Sequence, residues 1–240
     1  MLAALAAFVA CGGNGAGEVN PDSFCTQGGT SVSFTALGHG SLMMTIGEEN
    51  LYFDPVIAML PDSGDFTAYP KADYIFVTHS HPDHLDTLAI AQLSKEGTVL
   101  VANAESAARL GTASVMAPGD TLDFGAFGVA AVPAYNCSEG KQMFHPQGRD
   151  NGYVVEVDGF RTYVAGDTED IPELAALSGM DVAFLPCNLP FTMTPEQLAN
   201  AAKMVMPKVL YPYHYGQTDI QQVCSLLEGS GIDVRIREYR

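Results

Sequence analysis

The stretch YIFVTHSHPDHLD, residues 74–86, places three of the chain's six histidines within six positions. His79 and His81 stand two apart at the end of an apolar run, so their imidazoles can face one side and share an ion. Asp83 and His84 follow at once and can reach a second ion beside the first. Imidazole suits Zn, Fe, Ni and Cu, and carboxylate suits harder ions, so the mixed set predicts zinc, with Mn or Fe as alternatives. Pro82 stops the loop from continuing as a strand. A lone His-x-His is a weak signal. His-x-His-x-Asp-His after a buried strand is a strong one, set against the bland alternative of a solvated loop leading into a helix.

The elements that must position these residues are legible on both sides. Residues 72–78, ADYIFVT, form a continuous apolar run of strand length, the pattern of a strand buried on both faces. Leu85, Leu88, Ala89 and Leu93 recur at helical spacing, which predicts a helix over 86–94. Upstream, SVSFTALG reads as a strand, and SLMMTIGEENLYFDP as a hairpin around Gly47–Asn50 that ends in Asp54-Pro55. Downstream, TVLVAN is a strand and AESAARLG a short helix closed by Gly111.

The second half repeats the theme. FGVAAVPAYN is a strand into a loop, and residues 151–170 form a hairpin with Asp158-Gly159 as its turn, ending in Asp167. DVAFLP is a buried strand. A helix follows, with Thr194 at its N-cap, Pro195 in its first turn and Gln197 at the capping-box position. KVLYPYHYG is a strand running into His214, and a last helix (219–228) and strand (232–238) finish the chain. Two hairpins that each end in aspartate, each followed by a buried strand and a helix, predict an internal pseudo-duplication in a layered α/β fold. Lacking any linker after residue 31, residues 31–240 read as one domain.

The 240 residues are 47 % hydrophobic, enough for a substantial core. A net charge of −17 with 11 Lys and Arg repels polyphosphate backbones, which excludes nucleic acid as a default partner and leaves a small-molecule substrate. Residues 1–30 open with MLAALAAFVACGGNGAGEVN, an apolar run, Cys11 and a Gly/Asn tether. This resembles the end of a bacterial lipoprotein signal, with Ala10 before the cleavage point and Cys11 as lipid acceptor, but without the basic leader expected of one. The expectation is an exported, extracytoplasmic lipoprotein that meets a membrane only through a lipid anchor, or a cytoplasmic protein if this segment is not a signal. The five cysteines show no Cys-x-x-Cys spacing and read as small apolar residues or adventitious thiols.

At THSHPDHLD the chain resembles the metallo-β-lactamase-fold hydrolases. GHGSLMMTI, LYFDPV, AGDTED and YPYHYG are similar to motifs of their UlaG/UPF0173-like branch and occur in the same order. The resemblance runs from about Ser31 to the C-terminus. It implies a four-layer αββα sandwich and a binuclear site at the sheet edge between the halves. His79 and His81 would bind the first metal, Asp83 and His84 the second, Asp167 would bridge both, and His214 would complete the second site. One family ligand is missing: Asn136 stands where a histidine is expected after VAAVPA. Cys137 and His145 are the available replacements, and His145 reads equally well as metal ligand or substrate-site residue.

Other residues carry expectations of their own. Asp54 should accept a hydrogen bond from a ligand imidazole and fix its tautomer. His39, between glycines, reads as a pocket-lining residue or a structural turn histidine. Lys141 and Arg149 flank His145 and are placed to meet an anionic substrate group. One of Tyr211, Tyr213 and Tyr215 is a candidate to donate to a developing oxyanion. With two metals the expected chemistry is hydrolysis by a metal-held hydroxide, with Asp83 orienting the nucleophile. The bond would be of ester type: a phosphodiester, a lactone or a lipid-like small molecule. GHGS is not the nucleophile elbow G-x-S-x-G, so no serine mechanism competes. The rival is a non-catalytic metal-binding or ligand-sensing lipoprotein that keeps the fold, favoured by Asn136.

Overall fold

Buried and exposed residues alternate through Ser31–Gly38, the mark of a strand with one face on the core. In the computed structural model, which describes residues 22–60, 64–237 and 239, this segment is β2 of a seven-stranded sheet. The sheet runs in chain order through β1 (Ser23–Cys25), β2 (Ser31–Gly38), β3 (Ser41–Ile46), β4 (Glu49–Phe53), β5 (Tyr74–Val77), β6 (Val99–Ala102) and β7 (Ser114–Val115). The first four strands pair antiparallel and the rest parallel. A second seven-stranded sheet repeats the plan with β8 (Thr121–Asp123), β9 (Gly128–Ala134), β10 (Asp150–Val157), β11 (Phe160–Val164), β12 (Val182–Pro186), β13 (Val209–Tyr213) and β14 (Asp233–Val234). Its first four strands are again antiparallel and its last four parallel. The pseudo-duplication expected from the two hairpins is therefore a repeat of strand order as well as of sequence pattern.

The sheets pack face to face through aromatic side chains. Phe34 of β2 lies 5.3 Å from Phe184 of β12, and Phe76 of β5 lies 5.4 Å from Tyr153 of β10, ring centre to ring centre. A separate apolar cluster joins the first sheet to α1 (Thr87–Leu93) and α2 (Ala104–Leu110), through Tyr52, Ile75, Val77, Leu93 and Ala107. On the far side, α3 (Pro195–Val205) buries Leu198, Ala201, Ala202 and Val205, and the short α4 (Gln221–Leu226) buries Val223. Helix–sheet–sheet–helix is the αββα sandwich. The capping box of α3 is present as expected: the Thr194 side chain accepts from the Gln197 amide, and the Gln197 side chain accepts from the Thr194 amide.

The elements differ from expectation mainly at the sheet edges. The expectation that residues 1–30 are signal and tether is too long at its end: Ser23–Cys25 pair with Ser31–Ser33 as β1, and Asp22 accepts hydrogen bonds from Arg237 and Tyr211 near the other end of the chain. Cys25, read as an apolar or adventitious thiol, is disulfide-bonded; Cys137, Cys187 and Cys224 are free. The lipoprotein reading of Ala10 and Cys11 lies outside the described residues. β7 and β8 were not foreseen, because strands of two or three largely exposed residues carry no alternation to read. The last helix and strand are shorter than the spans predicted for them. Among the described residues no helix is long and apolar enough to cross a membrane.

Candidate metal centre

The site lies where β5, β11 and β13 end. Leaving β5, Thr78 gives its amide and hydroxyl to the Asp54 carboxylate at 2.7 and 2.6 Å, and His84 Nδ1 completes that carboxylate at 2.8 Å. The hydroxyl has one proton, so toward His79 Nδ1, 2.9 Å away, Thr78 can only accept. His79 and His84 are thereby both assigned as Nδ1–H tautomers, with their Nε2 lone pairs turned inward. Asp54 thus plays the part expected of it, and Thr78, which drew no attention in the sequence, transmits that part to a second imidazole.

Three imidazoles converge first. His79, His81 and His145 place ligand atoms within 4.8 Å of one another. His79 Nε2 is 3.1 Å from His81 Nδ1. His145 comes from the loop between β9 and β10, which folds back over the site. Its Nδ1 faces Asp150 at 3.1 Å, leaving Nε2 for the centre. Asp150 is held in turn by the Arg149 guanidinium and Asn103. Asn136 is buried beside this cluster and acts as a brace: its amide donates to the His145 carbonyl and its Nδ2 to the Phe191 carbonyl. Cys137 is exposed and, among the described residues, belongs to no metal-ligating cluster.

Asp83, His84, His214 and His39 form the adjoining group. Asp167, just past β11, stands between the two groups. Its Oδ2 lies 3.3 Å from His145 Nε2, 3.4 Å from His214 Nε2 and 4.0 Å from His79 Nε2, and its Oδ1 lies 3.3 Å from His84 Nε2. His39, expected as a pocket or turn residue, joins the cluster directly. Its Nε2 is 3.2 Å from Asp83 Oδ2, its ring is 3.7 Å from that of His214, and its carbonyl accepts from the His214 amide. All six histidines of the chain are gathered here.

The backbone is bent to achieve this. His39, Asp54 and His214 have φ of 50°, 45° and 51°, a region that non-glycine residues seldom occupy and that costs of order 1–3 kcal/mol each. Gly40 has a steric role. A Cβ there would fall 2.8 Å from His84 Cε1 and 3.5 Å from His214 Cδ2, so the two imidazoles close over bare backbone.

The electrostatics suit a cation. Burial, with His84 alongside, pushes the pKa of His79 well down; burial and His145 lower that of His81, so both are neutral donors. Burial disfavours charge on His84, but Asp167 and Asp54 on either side outweigh it and raise its pKa. Burial likewise opposes the charge on Asp167, yet His214 and His84 keep it ionised well below the usual carboxylate range. Asp83 is also held low, the imidazoles of His214 and His39 outweighing its desolvation. Even so, His84 Nε2, both His214 ring nitrogens and Asp167 Oδ1 are buried without a hydrogen-bond partner. Buried polar atoms are seldom left so. Unpaired buried nitrogens of His84 and His214, aimed at space shared with the Asp167 carboxylate, are what a cation that displaces their protons would satisfy, and the set fits a metal.

Two expectations fail here. Lys141 and Arg149 do not wait for an anion: Lys141 pairs with buried Glu169 at 3.2 Å, and Arg149 is spent on Asp150 and the Phe144 carbonyl. No tyrosine of the 211–215 stretch offers its hydroxyl to the site. Tyr211 binds Asp22, Tyr213 the Gly166 carbonyl, and Tyr215 the Arg237 carbonyl. Alternation in β13 sends both kinds of side chain into packed surroundings, because this strand is buried throughout.

Known proteins share the sequence pattern and the fold. A profile of the beta-lactamase superfamily domain matches residues 33–214, from β2 to the last clustered histidine. A UPF0173 metal-dependent hydrolase of Thermus thermophilus is 36 % identical over 191 residues, spanning 77 % of this chain and 84 % of its own. One from Symbiobacterium thermophilum is 33 % identical over 217 residues, spanning 84 % and 90 %. The crystal structure of a proposed metal-dependent hydrolase from Parabacteroides distasonis superposes with a TM-score of 0.88 at 48 % identity, covering 91 % of this chain and 98 % of that one. The metallo hydrolase Igni18 of Ignicoccus hospitalis, at 24 % identity and a TM-score of 0.73 over 87 % and 95 %, shares the fold.

Proposed function

The chain belongs to the beta-lactamase superfamily and, within it, to the UPF0173 metal-dependent hydrolases, and from that membership we propose that it cleaves an ester-type bond with two metal ions. The proposed first set is His79, His81 and His145, and the second Asp83, His84 and His214, with Asp167 between them. Zinc is the ion best suited to so many imidazoles, with Mn or Fe as alternatives. The observation that carries the reading is the buried, unbonded His84 Nε2, His214 Nε2 and Asp167 Oδ1.

Ions held there supply Lewis acidity and lower the pKa of water toward neutrality. The chain's own residues do the rest. Asp83, whose side chain is 36 % exposed, is the carboxylate of the set that meets solvent, so it is placed to orient the attacking water. His39 holds Asp83 Oδ2 in place. Asp54 and Asp150 fix the imidazoles of His84 and His145. The substrate class is an ester-type small molecule: a phosphodiester, a lactone or a lipid-like ester. The rival reading, a non-catalytic metal-binding or ligand-sensing lipoprotein, rests on Asn136; His145 beside the first set supports the enzyme over it.

Metal analysis of the purified protein tests the reading. About two equivalents per chain, with hydrolysis lost in His81→Ala, is the expected result. A site that stays empty in excess Zn or Mn sinks it.

A further inference from the structure

Glu169 is a buried carboxylate for which the reaction has no use. It lies just beyond Asp167, with none of its surface exposed. A charge is buried at a cost unless it is paired and hydrogen-bonded, and the groups that offset this one come from the loop between β9 and β10. Glu169 Oε2 accepts from the Cys137 amide at 2.8 Å and the Ser138 amide at 2.6 Å, and Oε1 faces Lys141 Nζ at 3.2 Å.

The same loop carries His145. The Asn136 amide donates to the His145 carbonyl at 2.9 Å, so residues 136–145 close on themselves. Two linked turns run between those ends. The Lys141 amide donates to the Ser138 carbonyl at 3.1 Å, and the Phe144 amide to the Lys141 carbonyl at 3.0 Å. Contact therefore passes without a gap from Glu169 to Ser138 and Lys141, then to Phe144, the neighbour of His145. The base of the loop is held separately: the Tyr135 amide donates to the Thr168 hydroxyl, and the Glu169 amide to the Tyr135 carbonyl. From Cys137 to Phe144 no residue is buried. Apart from the Phe144 ring against Phe191 at 5.2 Å, apolar packing does little to fix this stretch, yet the histidine at its end is buried in the centre.

We propose that Glu169 is a positioning residue: its carboxylate, holding the Cys137 and Ser138 amides and Lys141, keeps residues 137–144 folded so that His145 stands with His79 and His81. The inference rests on the two-ion reading above and adds to it the device that delivers one ligand. It also gives Lys141 a role: the cation expected to meet an anionic substrate is the outer half of a clasp.

The test is a competition titration of the full chain with zinc against a chelator. Glu169→Gln keeps the size of the side chain and its acceptor oxygen but not the charge. It should weaken one of the two binding steps by about tenfold and leave the other within about twofold. Lys141→Met, which keeps the glutamate, should weaken the same step. In a His145→Ala background, Glu169→Gln should change the remaining affinity by less than about twofold, because the group it acts through is gone. No loss in the parent overturns the proposal. Equal loss in both backgrounds also overturns it, by making Glu169 a support of the fold or of Asp167. Amide exchange in the metal-free protein separates this inference from the reading it rests on. Glu169→Gln should speed exchange of the Asn136 amide, which is bonded to His145, by about tenfold, with the β10 amides unchanged. A parent that binds no zinc while that exchange responds sinks the two-ion reading and leaves the clasp standing. An Asn136 exchange rate that does not respond overturns the clasp, whatever the metal does.

Discussion

His145 stands with His79 and His81 through a partner the sequence hides. Its Nδ1 is turned to Asp150, so its Nε2 faces Asp167 and the centre. His145→Ala should reduce bound metal to about one equivalent while the far-UV spectrum is unchanged; retention of two equivalents would move His145 to a substrate role. Asp54→Asn should weaken metal binding by about 10–100-fold in a competition titration, because the carboxylate both orients His84 and, through Thr78, fixes His79. His79, His81, Asp83 and His84 were legible as candidates because four residues of ligand type fall within six positions. Asp167 and His214 were legible only from the order of motifs. Thr78 and Asp150 were not legible at all: a threonine before a histidine and an aspartate after an arginine are common, and only the folded hydrogen bonds give them roles.

At the scale of elements, the β2–β3 turn does more than reverse the chain. It presents His39 to Asp83, and it presents Gly40 as a surface without a side chain on which His84 and His214 close. Gly40→Ala would press a methyl into His84, whose Nδ1 is tied to Asp54 and cannot retreat. The expected outcome is selective loss of the second ion in a metal titration, with the three-histidine group still loading. Equal loss at both positions would show that the turn supports the fold rather than one ion. Strands and helices here were readable where a segment was long enough to show a period or a cap, as in β10–β11 and α3. Edge strands of two or three residues, and the 3-10 turns Ile57–Met59 and Pro172–Leu177 after the hairpins, depend on neighbours far away in the chain, which no local pattern encodes.

Across the whole molecule, the chain's first described residue is joined to its last turns. Burial works against the charge on Asp22, but Arg237, Tyr211 and Arg235 outweigh it and hold the carboxyl below its ordinary 3.8. A carboxyl lowered by folding stabilises above its unfolded pKa and loses that contribution as pH falls through the folded one. The contribution is complete above about pH 4 and fades below it. Asp22→Asn should therefore lower Tm at pH 7 by about 3–6 °C, from a loss of about 1–2 kcal/mol, and the difference from the parent should shrink on acidification toward pH 2. A constant difference across that range would assign the effect to packing. The repeated sheets carry a larger consequence. Each proposed ion draws ligands from both halves: His79 and His81 with His145, and Asp83 and His84 with His214. Each ion is then a cross-link closing a long loop of chain, and removing it frees the halves to breathe against each other. Chelation should speed amide exchange along the facing ends of β5 and β11, far more than at the outer helices.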